Sequence, residues 1–173
     1  KMLLVQAQAY RAQYGFNAIF LLPVNLYGPG DNFDPASSHV IPALIRKIDA
    51  AITTGAAEVT LWGDGSPTRE FLYVDDAAQG ILLAAARHDS SEPLNLGCGR
   101  EIAIRDLASL LGELMGYRGR FLYDVARPNG QPRRALSVER ARARIGFEAR
   151  TALEDGLRRT ITWWRAHREE LSR

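Results

Sequence analysis

Apolar positions along the chain switch repeatedly between helical spacing and short unbroken runs. Leu3, Leu4, Ala7, Tyr10 and Tyr14 recur with helical period, and Gly15 supplies a stop. The run Ala18-Ile19-Phe20-Leu21-Leu22 is too short for a helix. Its lack of alternation predicts a strand covered on both faces, as in a parallel sheet, ended by Pro23. Residues 24–31 then read as a loop leaving the C-terminal edge of that strand, where open α/β sheets bind ligands. Ser37 or Ser38 is placed to cap a helix from His39 to about Asp49, with Pro42 tolerated in its first turns. Val59–Trp62 reads as a strand closed by Gly63-Asp64-Gly65, and Glu70–Val74 as the next one. Asp75 is a natural N-cap for an Ala-rich helix ending near Arg87. Leu94–Leu96 predicts a short strand before Gly97-Cys98-Gly99. Leu107, Leu110, Leu111 and Leu114 form a helical stripe stopped by Gly116. Arg120–Tyr123 is strand-like, and the Pro-rich residues 127–132 must be loop. Thr151 and Glu154 form a capping box for a last helix with Leu153, Leu157, Ile161 and Trp164 on one face.

Strands and helices alternate throughout, so the fold class is α/β with a parallel sheet. No internal repeat or low-complexity segment interrupts the pattern. The sharpest punctuation is the Gly/Pro loop at residues 28–36. With 173 residues, 46% of them hydrophobic and 24% charged, the chain can bury a core without a disulfide or metal staple. The single cysteine, Cys98, excludes an internal disulfide, argues against a zinc cluster and fits a reducing cytoplasm. No apolar run reaches the roughly 20 residues that span a bilayer, and nothing resembles a signal peptide. The formal net charge of +2 gives no global reason to expect nucleic acid. The residues from Arg133 onward nevertheless hold 11 Arg against 6 acids. That run reads as solvated helix faces, with an anion-docking patch as the alternative. The chain opens at Lys1 inside a helical pattern, and so reads as the C-terminal part of something longer.

Complete cofactor motifs are missing. Gly28/Gly30, Gly63/Gly65 and Gly97/Gly99 are Gly-x-Gly pairs, but Phe33, Thr68 and Ile102 hold the position of a third glycine, so all three read as turns. There is no P-loop, HExxH or nucleophile elbow. What remains is a set of polar residues at strand ends and helix starts. Asn25 follows a buried strand, His39 opens a helix, Lys47 lies two turns on, Trp62 ends a strand and Arg69 begins another. Each also has a plain reading: turn former, first-turn residue, solvated charge or core.

Several blocks, taken in order, resemble the extended short-chain dehydrogenase/reductase family of NAD-dependent epimerases and dehydratases. They are Asn25-Leu26-Tyr27-Gly28-Pro29-Gly30-Asp31, His39-Val40-Ile41-Pro42-Ala43-Leu44, Trp62-Gly63-Asp64-Gly65-Ser66-Pro67-Thr68-Arg69-Glu70-Phe71, Val74-Asp75-Asp76 and Pro128-Asn129-Gly130-Gln131-Pro132-Arg133. The likeness is strongest to the branch that epimerises and reduces a GDP-linked 4-keto-6-deoxyhexose. It implies that residues 1–28 are the last part of a dinucleotide-binding Rossmann domain. Residues 29–173 are then mainly a nucleotide-sugar-binding domain, some segments returning to the Rossmann side. Pro23, Val24, Asn25, Leu26 and His39 match positions that hold the nicotinamide end of NADP, with NAD as the alternative. His39 matches a catalytic acid of epimerisation, a role imidazole suits because it titrates near neutral pH. Lys47, Trp62, Arg69 and Asn129 match contacts to the nucleotide sugar. The resemblance also implies that the Tyr-x-x-x-Lys pair, the glycine fingerprint and a partner cysteine precede Lys1; Cys98 is not that cysteine and reads as structural. This stretch alone should then not turn over, and the complete protein should be a homodimer joined through the helix that residues 1–14 continue. Two alternatives stay open: another nucleotide-sugar epimerase or dehydratase, and a non-catalytic sugar-nucleotide-binding module. Nucleic-acid binding through the Arg-rich tail ranks behind both.

Overall fold

The computed structural model describes residues 1–171. In chain order the elements are α1 (Met2–Tyr14), β1 (Leu21–Pro23), β2 (Asn25–Tyr27), α2 (Val40–Thr54), β3 (Glu58–Trp62), β4 (Thr68–Tyr73) and α3 (Val74–Arg87). There follow β5 (Leu94–Leu96), β6 (Glu101–Ala103), α4 (Ile104–Met115), β7 (Arg120–Asp124), β8 (Arg133–Arg134), α5 (Glu139–Ile145) and α6 (Leu153–Leu171). The class is mixed α/β, and β1 with β5, β3 with β7 and β4 with β8 all pair in parallel. Among the described residues no helix is long and apolar enough to cross a membrane.

The chain folds into two interleaved compact units. The first comprises Lys1–Leu26, Glu70–Arg100 and Ala135–Thr151; the second comprises Tyr27–Arg69, Glu101–Arg134 and the chain from Ala152 on.

In the first unit, the register Leu21↔Leu94 to Pro23↔Leu96 joins β1 to β5. Leu72, Leu94 and Leu96 are buried with Val24, Ala77 and Ala84 on one side of the chain's order and Ala141, Ile145 and Phe147 on the other. Gly80 allows α3 to approach: a Cβ there would sit 3.0 Å from the Phe147 ring. By contrast α1 buries none of its residues. Arg11 holds it through Asp89 and the Asn17 side chain (2.7 Å), and Gln8 donates to the Ser91 carbonyl.

In the second unit, all five residues of β3 pair with β7, from Glu58↔Arg120 to Trp62↔Asp124. Ile41, Leu44, Ile45 and Ile48 of α2 are buried, as are Leu107, Leu111 and Met115 of α4. Each such side chain contributes about 1.5–3 kcal/mol. From α6, Leu157, Ile161 and Trp164 are buried. Phe33 stacks on Trp164 with centroids 4.5 Å apart and anchors the loop that precedes α2.

Several local expectations need correction. Neither Ser37 nor Ser38 caps α2. Asp34 takes both of their backbone N–H groups and the Ser37 hydroxyl, leaving His39 as an N-cap without a side-chain bond. That helix also runs past Asp49 to Thr54, because its glycine stop, Gly55, comes only then. Tyr73, not Asp75, is the N-cap of α3; Asp75 and Asp76 lie in its first turn, where their charge complements the helix dipole. The capping box at Thr151 does not close, since its N–H donates to Asp76 (2.9 Å) while Glu154 pairs with Arg158. Residues 25–27, expected as loop, form β2, and β6, β8 and α5 were not foreseen.

Candidate functional site

Of the nine residues singled out above, Pro23, Val24, Asn25 and Leu26 belong to the first unit, and His39, Lys47, Trp62, Arg69 and Asn129 to the second.

In the first unit, Val24 is buried and its N–H donates to the Leu96 carbonyl at 2.9 Å, so the residue serves to fix its neighbours. Asn25 donates its Nδ2 to the Glu70 carbonyl at 2.9 Å, which turns the amide oxygen away from that bond. Pro23 and Leu26 are exposed. Glu70 itself is fully buried and sequence reasoning passed over it. Its carboxylate accepts from the Gly99 N–H (2.7 Å) and the Leu136 N–H (2.8 Å), satisfying a charge that burial would otherwise penalise. Gly97 is dictated by this arrangement, because a Cβ there would lie 2.3 Å from Glu70 Oε1. Cys98 packs against the core of this unit, its thiol directed to the Arg100 carbonyl.

In the second unit the geometry centres on the turn after β3. Gly63 and Gly65 both have positive φ, 75° and 72°, and let the chain reverse within three residues. The Gly63 N–H donates to the Asp124 carbonyl, and the Asp64 N–H to Asn129 Oδ1 at 2.8 Å. A side chain at Gly63 would collide with that same Asn129 oxygen. Hydrogen bonds from Ser66, then from Asn129, hold the exposed Asp64 carboxyl below its ordinary range. Trp62 is 65% exposed, a large apolar face left in solvent, and the Arg127 guanidinium sits 5.3 Å from its ring centroid. Arg69 donates Nη1 to the neighbouring Thr68 carbonyl, and Gly130 leaves its other end free, the nearest approach of a Cβ there being 3.8 Å from Nη2. Lys47 reaches across from α2 to the Thr60 carbonyl of β3 at 3.2 Å.

Trp62, Arg69 and Asn129 are thus gathered around one glycine turn, with Lys47 bonded to the strand that leads into it. His39 is tied to none of them by a hydrogen bond among the described residues. It is exposed at the start of α2, and the loop before it is braced by Asn32, Asp34 and Ser37. Asp31 is the neighbour the sequence did not flag. Burial raises its carboxyl above the usual range, while the Asn32 N–H and the charge of His39 act in the opposite sense. Its Oδ2 is buried without a hydrogen-bond partner.

An open cavity of about 520 Å³ lies at the opposite ends of β3 and β7, lined by Gly55, Ala57, Gly116, Tyr117 and Arg120 among others. It contains none of the residues above, and its Arg120 is already paired with Glu58.

An exposed aromatic face, an amide and guanidinium groups thus stand around one glycine turn. GDP-L-fucose synthase 1 of Arabidopsis thaliana is 45% identical over 157 residues, which are 91% of this chain and 48% of that protein. GDP-L-fucose synthase of Escherichia coli strain K12 is 40% identical over 166 residues, 91% of this chain and 51% of that one. A crystal structure of a GDP-L-fucose synthetase from Naegleria fowleri bound to NADP superposes with a TM-score of 0.87 at 28% identity, covering 97% of this chain and 52% of the other. The chain spans about half the length of the curated relatives it matches. The family model for the NAD dependent epimerase/dehydratase family matches residues 2–97, more than half of the sequence, and the chain belongs to that family.

Proposed function

We propose that this chain is the nucleotide-sugar-binding part of an enzyme that converts GDP-4-keto-6-deoxy-D-mannose to GDP-L-fucose. The reaction combines 3,5-epimerisation with NADPH-dependent reduction of the 4-keto group. The observation that carries the reading is the convergence of Trp62, Arg69 and Asn129 on the Gly63–Gly65 turn. Trp62 offers its exposed face to the nucleotide or sugar ring, and Arg69 and Lys47 supply positive charge for the diphosphate. The relatives named above are GDP-L-fucose synthases, which supports guanosine as the base and a deoxyhexose as the sugar.

NADP fits the first unit's residues. Asn25 is held by one amide hydrogen bond with its oxygen left to accept from a carboxamide, and Pro23 and Leu26 are exposed apolar neighbours at the end of a parallel strand. When bound, the reduced cofactor supplies the hydride for the C4 carbonyl. Epimerisation needs one group to remove a proton beside the ketone and another to return it on the opposite face. His39 is the group that returns it. The exposed α1 residues Met2, Leu3, Val5 and Tyr10 fit a helix that joins two copies of the complete protein, which light scattering tests.

The test is NADPH oxidation by the complete protein with GDP-4-keto-6-deoxy-D-mannose, followed by product analysis. His39→Gln is expected to slow solvent-proton exchange at C3 and C5 by about 100-fold. NADPH affinity should change by no more than about threefold. Unchanged exchange rates would remove His39 from the chemistry. Absence of turnover with retained NADPH binding would redirect the reading to another nucleotide sugar.

A further inference from the structure

β8 has only two residues, yet its parallel register with β4 is well defined: Thr68 pairs with Arg133 and Arg69 with Arg134. Partners in register present their side chains on the same face of a sheet, and successive residues alternate faces. One face is fixed by direct contact. The Thr68 hydroxyl (2.8 Å) and the Arg133 guanidinium (2.6–3.0 Å) meet on the two carboxylate oxygens of Glu101. Arg133 therefore spends its charge on that acid, whose carboxyl is held below its ordinary range by the same contacts. Alternation then places Arg69 and Arg134 together on the opposite face, away from Glu101. Arg134 is exposed and makes no ion pair or hydrogen bond among the described residues, while Arg69 donates only to the Thr68 carbonyl beside it. Neighbouring strands lie about 4.8 Å apart, so the register makes Arg69 and Arg134 direct neighbours on that face. Like charges in register repel, and a dianionic group placed on both reverses the sign of that interaction. Gly130, beside Arg69, has no side chain to fill the approach.

We propose that Arg134 is a binding residue, forming with Arg69 a two-guanidinium clamp for the diphosphate of the nucleotide sugar. The proposal rests on the nucleotide-sugar reading of this site. It assigns a role to a residue that no motif singled out and separates it from Arg133, whose fork is already occupied. Two planar forks suit a diphosphate better than two ammonium groups, because each can bind two oxygens at once.

The experiment is calorimetric titration of the complete protein and its variants with GDP and with GMP, alongside NADPH as a control for folding. Arg134→Ala is expected to weaken GDP binding about tenfold and GMP binding by less than about threefold, with NADPH affinity unchanged. Arg134→Lys should recover part of the loss, since charge returns without the fork. Removing one of two repelling cations should also leave the melting temperature of the ligand-free protein unchanged or slightly higher. If Arg134→Ala binds GDP like the parent while Arg69→Ala does not, Arg134 is no part of the clamp and the nucleotide reading stands. Equal losses for GDP and GMP would likewise overturn the clamp. A parent protein that binds NADPH but no GDP would overturn the nucleotide reading and the clamp together.

Discussion

The Asn129 amide oxygen accepts the Asp64 N–H at 2.8 Å and so ties the turn that carries Trp62 to the loop after β7. A carboxylate oxygen can occupy the same place. Asn129→Asp is therefore expected to preserve the turn, and Asn129→Ala to lose about 1 kcal/mol of stability and about tenfold in GDP affinity, read by denaturation and calorimetry. Asp31 gives a prediction with a definite sign. Because burial raises its carboxyl above the ordinary 3.8, the folded state favours the protonated form, and stability falls as pH rises through the folded value. Asp31→Asn retains an oxygen for the Asn32 N–H and removes the buried charge. Its melting temperature should exceed the parent's by about 2 °C at neutral pH, and the difference should vanish in acid below the ordinary value. At this scale Trp62, Arg69 and Asn129 were legible because they stand within ordered sequence blocks. Glu70 and Asp31 stand in such blocks too, but Glu70 is held by partners 29 and 66 residues further on and Asp31 matters through burial, while Arg134 depends on a strand register that no local pattern encodes.

Between elements, two buried carboxylates act as clasps. Glu70, at the middle of β4, receives N–H groups from the Gly99 turn and from Leu136. Glu70→Gln would set an amide NH₂ against one of those donors, and is expected to cost about 2–3 kcal/mol in denaturant unfolding. Gly97→Ala should cost at least as much, because the carboxylate it strikes has nowhere to move. Asp49 joins α2 to α6 by accepting from Trp164 Nε1 at 3.1 Å and from Arg168 Nη1 at 2.9 and 3.0 Å. Asp49→Ala strands a buried indole donor, and the same measurement should show a loss of about 2 kcal/mol. Sequence reading placed the ends of α1 and α4 because Gly15 and Gly116 mark them, but ended α2 short of its stop at Gly55. It missed β2, β6 and β8, which have only two or three residues and so no period to detect. It also assigned caps to Ser37 and Asp75 on propensity alone, where a competing partner and an earlier helix start decide the outcome.

For the whole molecule, the sequence offered a cut near residue 28 with some later segments returning, but not which segments, because each unit is assembled from three separated stretches. The units differ in how well they cover their apolar surface. Met2, Leu3, Val5, Tyr10, Tyr14, Phe16, Leu22, Leu26, Val74, Ile81 and Leu82 are exposed in the first, whereas the second exposes Ile52, Trp62, Leu122, Val125 and Leu171. Helix α1 has no buried residue and is held mainly by polar contacts through Gln8 and Arg11. A helix of 13 residues without a packed face is marginal in water. In hydrogen exchange of this 173-residue chain, the amides of α1 should therefore exchange fastest among the helices. Those of α2 and α4, which face a buried core, should be the slowest. If α1 joins two copies of a longer protein, as proposed above, its amides should become protected there, because its apolar positions then find cover. The contrast separates two origins of helix stability. If α1 were held by its own propensity and by Arg11, its protection would be the same in both contexts; if by burial, only the longer protein protects it. Equal protection of α1 and α2 in the isolated chain would show that the exposed apolar surface has found a partner in solution, and dilution would then restore fast exchange.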